Sequence, residues 1–321
     1  MTTPASNPAA ISIQGLTRTF GSFTAVDHID LEVPTGQIFG FLGPNGSGKT
    51  TTIRMLTGTL RPTSGQIHVL GHDVLRHPRE VQPRIGYMSQ RFALFEDLTV
   101  DQNLKFYAGI YNLPDERFQA QRAYVLEMAD LVGRENELTS NLSVGWRQRL
   151  ALGAATIHDP ELLFLDEPTS GVDPVARRQF WDLLYDLAAR GVTLFVTTHY
   201  MDEAAHCNRL AFIYRGRIIA DGSPTELRTE HGQNRIYDVS VADTDRALDW
   251  LVGNDGIADA YLSGATLHAV LPLDSRTSGD ELRRQLDAAG FADARVSEIE
   301  ASIDDVFVNL VSGQERPTTL G

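Results

Sequence analysis

The octapeptide Gly43-Pro44-Asn45-Gly46-Ser47-Gly48-Lys49-Thr50 constrains this chain more than any other stretch. It follows a continuous apolar run, Ile38-Phe39-Gly40-Phe41-Leu42, and runs into a segment, Thr50 to Leu56, that reads as a helix. A buried strand, a glycine-rich turn and a helix in that order make the phosphate-binding pattern of glycine, four residues, glycine, lysine and Ser/Thr. The glycines let successive backbone N–H groups turn toward a phosphate chain, and the helix start aims the positive end of its dipole there. Lys49 adds a point charge, and the Thr50 hydroxyl suits Mg²⁺. A glycine turn that merely precedes a helix would match by chance in roughly one chain in a hundred of this length, from ordinary residue frequencies.

A second apolar run, Leu162-Leu163-Phe164-Leu165, ends in the adjacent acids Asp166 and Glu167. The carboxyl ends of strands are where α/β sheets bind ligands, so both carboxylates are expected beside the phosphate loop. Asp166 is then the Mg²⁺ ligand, and Glu167 polarises the water that attacks the γ-phosphate. Without the loop upstream, Asp166-Glu167-Pro168-Thr169 would read equally well as a solvated turn.

With 321 residues and 42% hydrophobic content, the chain can bury a sizeable core and divides into more than one domain. Residues 1–10 are expected to be a flexible N-terminus, 11–230 the nucleotide-binding domain and 231–321 a separate accessory or regulatory domain. Alternation at Ile11 to Leu16 and Ile29 to Val33 predicts an antiparallel β layer. Apolar spacing of three and four across Asp101 to Tyr111 and Glu116 to Leu131 predicts a helical insert over about 91–158. Strands at 162–165, 193–197 and 209–214 alternate with a helix near 175–189, which predicts a largely parallel α/β sheet. After a polar linker, the order strand, helix, strand, strand, helix, strand over 236–299 predicts a small α+β domain of ferredoxin-like type.

Composition narrows the function. Lys and Arg number 28 against 42 Asp and Glu, a formal net charge of -14, which is the wrong sign for coating nucleic acid. No nucleic-acid partner is expected. The N-terminal MTTPASNPAA lacks a basic segment before an apolar one, and no run approaches the roughly 20 apolar residues that span a bilayer, so a cytoplasmic protein is expected. The single cysteine, Cys207, fits a reducing compartment, reads as a small hydrophobe and leaves any metal to oxygen ligands.

On these motifs the chain resembles, over about residues 11–230, the nucleotide-binding subunit of an ATP-binding cassette (ABC) transporter. Gln90, after Ile85-Gly86-Tyr87-Met88-Ser89, resembles the family's Q-loop, and Leu142-Ser143-Val144-Gly145-Trp146 its signature motif. Ser170-Gly171-Val172-Asp173 resembles the D-loop, and His199 after Val196-Thr197-Thr198 the switch histidine. Phe20 resembles the aromatic that stacks on adenine. The resemblance implies a P-loop NTPase fold, with ATP and Mg²⁺ as cofactors. Nucleotide contacts then come from Phe20, residues 43–51 including Thr51, Gln90, Ser143, Gly145 and Asp173. Mg²⁺ is held by Thr50, Gln90 and Asp166, and catalysis falls to Glu167 and His199. It also implies a head-to-tail homodimer, because the signature motif meets ATP bound by the opposite subunit.

The signature departs from the family's usual form: Val144 replaces a glycine and Trp146 a glutamine, while Ser143 and Gly145 remain. Leu-x-x-Gly-Trp before Arg147-Gln148-Arg149 resembles an ABC-2-type, multidrug export subgroup, and Ile303 to Leu310 resembles the closing segment of drug-resistance ATPases. The implied partner is an integral-membrane permease, docked on the insert near Phe92 to Phe95 at the cytoplasmic side of the inner membrane. Two other readings stand beside exporter: a soluble ABC machine without a permease, and a nucleotide sensor that barely hydrolyses. Each residue also has a plainer reading: Ser143 as a helix cap, Gln90 as a surface side chain, His199 as a hydrogen-bonded structural residue and Phe20 as a buried strand residue.

Overall fold

Two twelve-residue strands, β1 (Ala9–Phe20) and β2 (Phe23–Pro34), open the computed structural model as a hairpin. They join β4 (Ser64–Val69) and β5 (His72–Asp73) in an antiparallel sheet of order β2-β1-β4-β5. Both hairpin strands run well beyond the stretches that alternation marks. Register shifts between Ile13 and Leu16 and between Leu16 and Arg18, around Gly15 at φ +54, break the two-residue period while pairing continues. Ala9 and Ala10, assigned by the sequence to a flexible start, belong to β1; residues 1–8 lie outside the described residues, which are 9–91, 93–231, 234–254 and 256–315.

The second sheet has the order β10-β9-β3-β8-β7-β6. Its strands are β3 (Ile38–Leu42), β6 (Ile85–Met88), β7 (Leu162–Asp166), β8 (Thr193–Thr198), β9 (Arg209–Tyr214) and β10 (Arg217–Gly222), all parallel except the β9/β10 hairpin. β3, β7 and β8 are buried along their whole lengths, which is why they read as unbroken apolar runs. Successive residues point to opposite faces. Leu162 and Phe164 join Phe39, Phe41 and Phe195 under the antiparallel sheet, whereas Leu163 and Leu165 join Phe180, Trp181 and Leu184 of α6 (Pro174–Ala189). Parallel register then lines up the carboxyl ends, pairing Leu42 with Thr198 and Asp166 with Thr197.

Between these strands lie α1 (Lys49–Leu56), the short α2 (Pro78–Val81), and an insert of α3 (Val100–Ile110), α4 (Asp115–Met128) and α5 (Val144–Thr156). α3 begins at a reciprocal cap in which the Thr99 hydroxyl accepts from Gln102 N and the Gln102 side chain accepts from Thr99 N. The insert has its own core of Val100, Leu104, Phe118, Val125, Leu150 and Ile157. α5 presses on β6 where Gly86 removes the side chain, since a Cβ there would stand 2.3 Å from Ala155 O. His158, just past α5, hydrogen-bonds Ile85 O at 2.9 Å and stacks on Tyr111, and burial pushes its imidazole down to about 4.

The chain divides into the units Met1–Ser223 and Pro224–Gly321. α7 (Pro224–His231), which the sequence reading left with the first domain, falls in the second because it packs on α10 (Ile303–Glu315) and buries Leu227. Between them come β11 (Asn234–Ser240), α8 (Thr244–Val252), β12 (Asp259–Ser263), β13 (Thr266–Pro272), α9 (Gly279–Ala288) and β14 (Arg295–Ile299). The antiparallel order β12-β13-β11-β14 is the ferredoxin-like arrangement. Asp305, at the start of α10, is fully buried and accepts hydrogen bonds from Tyr261 Oη and Ser302 N at 2.6 Å, with His268 Nδ1 also 2.6 Å away. Burial alone would raise its carboxyl, but those hydrogen bonds hold it below the ordinary value.

Gly86→Ala tests the tight contact between the sheet and the insert. Backbone and Leu163 must move to admit the methyl group, so urea unfolding should show a loss of about 1–3 kcal/mol, the general cost of overpacking a core.

Candidate functional site

The loop between β3 and α1 takes its shape from its glycines. Gly46 at φ +81 and Gly48 at φ +114 occupy the left-handed region, and a Cβ on Gly48 would meet Ala25 O at 2.6 Å. Gly48 caps α1 without a side chain, so the first N–H groups of the helix keep no side-chain acceptor. Lys49 turns back under the loop and donates to Gly43 O at 2.7 Å and Pro44 O at 3.2 Å. The Ser47 hydroxyl is buried without a hydrogen-bond partner inside the loop. Helix N–H groups with no side-chain acceptor and an orphaned hydroxyl, set beside a lysine, fit a polyanionic ligand.

Both strand-end acids reach this loop. Asp166 Oδ1 accepts from Thr50 Oγ1 at 3.2 Å and Thr197 Oγ1 at 2.8 Å, and burial pushes its carboxyl above the ordinary value against those two bonds. A buried carboxylate beside a threonine hydroxyl is an oxygen donor set suited to a hard divalent cation. Among the described residues no group of three or more His, Cys, Asp or Glu side chains is arranged to hold a metal ion.

Glu167 is the meeting point of the site. Its Oε1 lies 3.1 Å from Lys49 Nζ, with the two side chains only 7% and 4% exposed. Its Oε2 accepts from Gln90 Nε2 at 3.0 Å and stands 3.1 Å from His199 Nδ1. The backbone of Glu167 has φ +49, a left-handed conformation that costs a non-glycine residue about 1–3 kcal/mol. Its N–H is held there by Thr197 O at 3.1 Å and Thr197 Oγ1 at 3.0 Å. Thr197 thus orients both acids. Sequence reasoning passed over it because a threonine in an apolar strand run carries no signal of its partners.

Ser143 and Asp173 also serve as helix caps. Ser143 Oγ accepts from Trp146 N at 3.4 Å, and Asp173 Oδ1 accepts from Val175 N and Ala176 N at 3.0 Å. With Gly145 they line a cavity of about 480 Å³ that also takes in Trp146, Arg149 and Gln179. None of residues 43–51, Asp166 or Glu167 lines it. The Trp146 ring is flanked by the Arg134 and Arg149 guanidinium groups at 4.5 and 5.3 Å. Gln148, not singled out from the sequence, is buried on α5 and donates to Pro168 O in the loop after Glu167. Phe20 is 46% exposed at the end of β1 rather than buried in the strand, with the Arg18 guanidinium 4.4 Å from its ring. Thr51 is half-buried in the first turn of α1. Cys207 is a buried thiol whose ionisation burial suppresses, and it takes no part in the site.

Residues 26–170, spanning the phosphate loop and both acids, match the ABC transporter family model. A daunorubicin resistance ATP-binding protein of Streptomyces coeruleorubidus is 37% identical over 316 residues, which are 96% of this chain and 97% of that one. The chain belongs to the ABC transporter family. A probable multidrug ABC transporter ATP-binding protein of Escherichia coli (strain K12) is 46% identical over 234 residues, and the match spans 72% of this chain but only 40% of that longer ABC protein. A solved component of a Clostridium perfringens ABC transporter complex superposes with TM-score 0.64 at 26% identity, covering 69% of this chain and 91% of that one. The superposed share fits the first unit of an ABC chain that carries a second unit beyond it.

Lys49→Ala removes the cation that faces both the loop carbonyls and Glu167. Affinity for an ATP analogue, followed by fluorescence titration, should fall by at least an order of magnitude, the scale of a lost charge-assisted contact; unchanged affinity would refute the phosphate-binding role.

Proposed function

We propose that this chain is the ATP-hydrolysing subunit of an ABC exporter and moves a drug or other hydrophobic compound through a separate membrane permease. The observation that carries the reading is the convergence of Lys49, Gln90 and His199 on one buried carboxylate, Glu167, beside a helix start that has no side-chain cap. The relatives' names, multidrug and daunorubicin resistance, support the cargo class.

In this reading residues 43–51 cradle the phosphates and Phe20 offers its exposed ring to the adenine. Thr50 and Asp166, joined by Gln90, would hold Mg²⁺, which would supply positive charge to offset that of the phosphates. Phosphate competes with Glu167 for Lys49, because the lysine faces both. Glu167 so released accepts a proton from the attacking water, and His199 holds that carboxylate in line with it. Ser143, Gly145 and Asp173 open onto a cavity apart from their own phosphate loop. They therefore suit the nucleotide of a second copy, in a head-to-tail dimer that also covers exposed Val144 and Val175.

In the same reading the insert carries the permease contact. Phe95 and Phe106 form an exposed edge-to-face pair 4.5 Å apart, and exposed Ile110 borders a cavity of about 370 Å³ with Tyr87 and Tyr111. Phe92, named from the sequence for the same role, lies outside the described residues. Gln90 joins this face to Glu167, so nucleotide state and partner position share one link. No helix among the described residues is long and apolar enough to cross a membrane, which suits a subunit held peripherally at the cytoplasmic face by its permease. The acidic net charge favours no nucleic-acid partner.

Glu167→Gln should still bind ATP while steady-state turnover falls by a factor on the order of 10² or more, the scale of a lost general base. Light scattering of that variant with saturating ATP and Mg²⁺ should show a doubled mass; near-normal turnover, or a monomer even with the permease supplied, would count against the respective assignment. Cysteines placed at Phe106 and Ile110 should crosslink in membranes to an integral-membrane protein. Crosslinks from the C-terminal unit alone would move the docking site off the insert, and none from either unit would favour a soluble ABC machine instead.

A further inference from the structure

Two residues past Glu167, the fully buried Thr169 donates its hydroxyl to Glu203 Oε1 at 2.6 Å. Glu203 is 1% exposed and lies in the 3-10 turn Met201–His206, four residues past His199, with its own N–H on Tyr200 O. The Thr169–Glu203 bond therefore closes a ring. The chain runs from Glu167 through Thr169, crosses by this bond to Glu203, returns along the turn to His199, and comes back to Glu167 across the 3.1 Å imidazole contact.

A third element enters through Arg177, one helical turn past Asp173 on α6, whose N–H bonds Asp173 O at 2.9 Å. Its guanidinium lies 4.1 Å from the centre of the Tyr200 ring, with Nε 3.8 Å from Glu203 Oε1 and Nη1 3.6 Å from Asp202 Oδ2. Glu203 Oε2 has no hydrogen-bond partner. Burying a carboxylate so incompletely paired costs stability that an apolar side chain of similar size would not. A charge kept at such a cost is better explained by the geometry it holds than by the stability it adds.

We propose that Glu203 is a positioning residue for hydrolysis. By holding Thr169 it sets the spacing of Glu167 and His199, and through Arg177 it ties that spacing to the position of α6 and its cap Asp173. The inference rests on Glu167 being the base that activates water. A shift of α6 as a second copy covers Asp173 is then felt at Glu167 without any change in the phosphate loop.

The test measures kcat and KM for MgATP in the 321-residue chain for Thr169→Val, Glu203→Leu, the double variant and Thr169→Ser. Each of the first two should lower kcat on the order of tenfold, because misplacing a catalytic group by a fraction of an ångström is costly, with KM changed by less than about twofold. The double variant should be no worse than the poorer single, since both break one link, and Thr169→Ser should restore kcat to within about twofold. Wild-type turnover in Thr169→Val, losses that multiply in the double variant, or a loss confined to KM would overturn the proposal. Should Glu203→Leu fail to fold, seen as loss of ATP-analogue binding, the Thr169→Val and Thr169→Ser pair decides alone. Glu167→Gln run in parallel separates the two levels. If it stays active the base assignment fails, and if it is inactive while Thr169→Val is normal only the positioning role fails.

Discussion

The buried contact between Lys49 and Glu167 is the constraint on which the rest of the structure depends. A lysine and a glutamate sit 3.1 Å apart at the end of a sheet, almost out of contact with water. Desolvating either one alone would be costly, and removing one partner of such a pair generally costs about 3–5 kcal/mol. The fold supplies what each needs: two loop carbonyls for the lysine, and a glutamine, a histidine and a strained backbone held by Thr197 for the glutamate. These partners come from β3, β6, β7 and β8, so the parallel register of that sheet is a condition for the site as well as for the core.

This arrangement leaves the chemistry sensitive to its surroundings. The loop carrying Glu167 is tied to α5 through Gln148 and Pro168, and to the turn after His199 through Thr169 and Glu203. α5 starts at Ser143 and α6 at Asp173, the two caps that border the second cavity. Two short, buried hydrogen-bond links therefore separate that cavity from the carboxylate. Rigid, close-packed links of this kind carry a displacement rather than absorb it. In the C-terminal unit the buried carboxyl of Asp305 serves the fold, its bond to Tyr261 fastening α10 to β12.

Much of this was legible from residue order alone. The phosphate loop announces itself because left-handed backbone and close approach demand glycine at set positions, and the buried strands because a sheet covered on both faces requires unbroken apolar runs. The ferredoxin-like unit was readable from its alternating strand and helix periods. β5 and β10 were not, being polar strands at sheet edges, nor was β4, which starts with three exposed residues, and the full length of β1 was hidden by its bulges. The terminal helix α10 fastens to β12 and β13 through a buried aspartate that periodicity does not reveal.

Sequence by itself determined which chemical groups this protein owns: a lysine and a hydroxyl on a phosphate loop, and two acids at a strand end. Local patterns suffice there because backbone dihedrals and strand burial act over a few residues. Only the tertiary structure decided how those groups are held. Thr197 orients acids that lie about thirty residues away, Glu203 reaches Thr169 across a similar span, and Glu167 takes a backbone conformation that no local preference would select. Such bonds exist only once β7 and β8 lie side by side, and burial then makes each of them costly to lose.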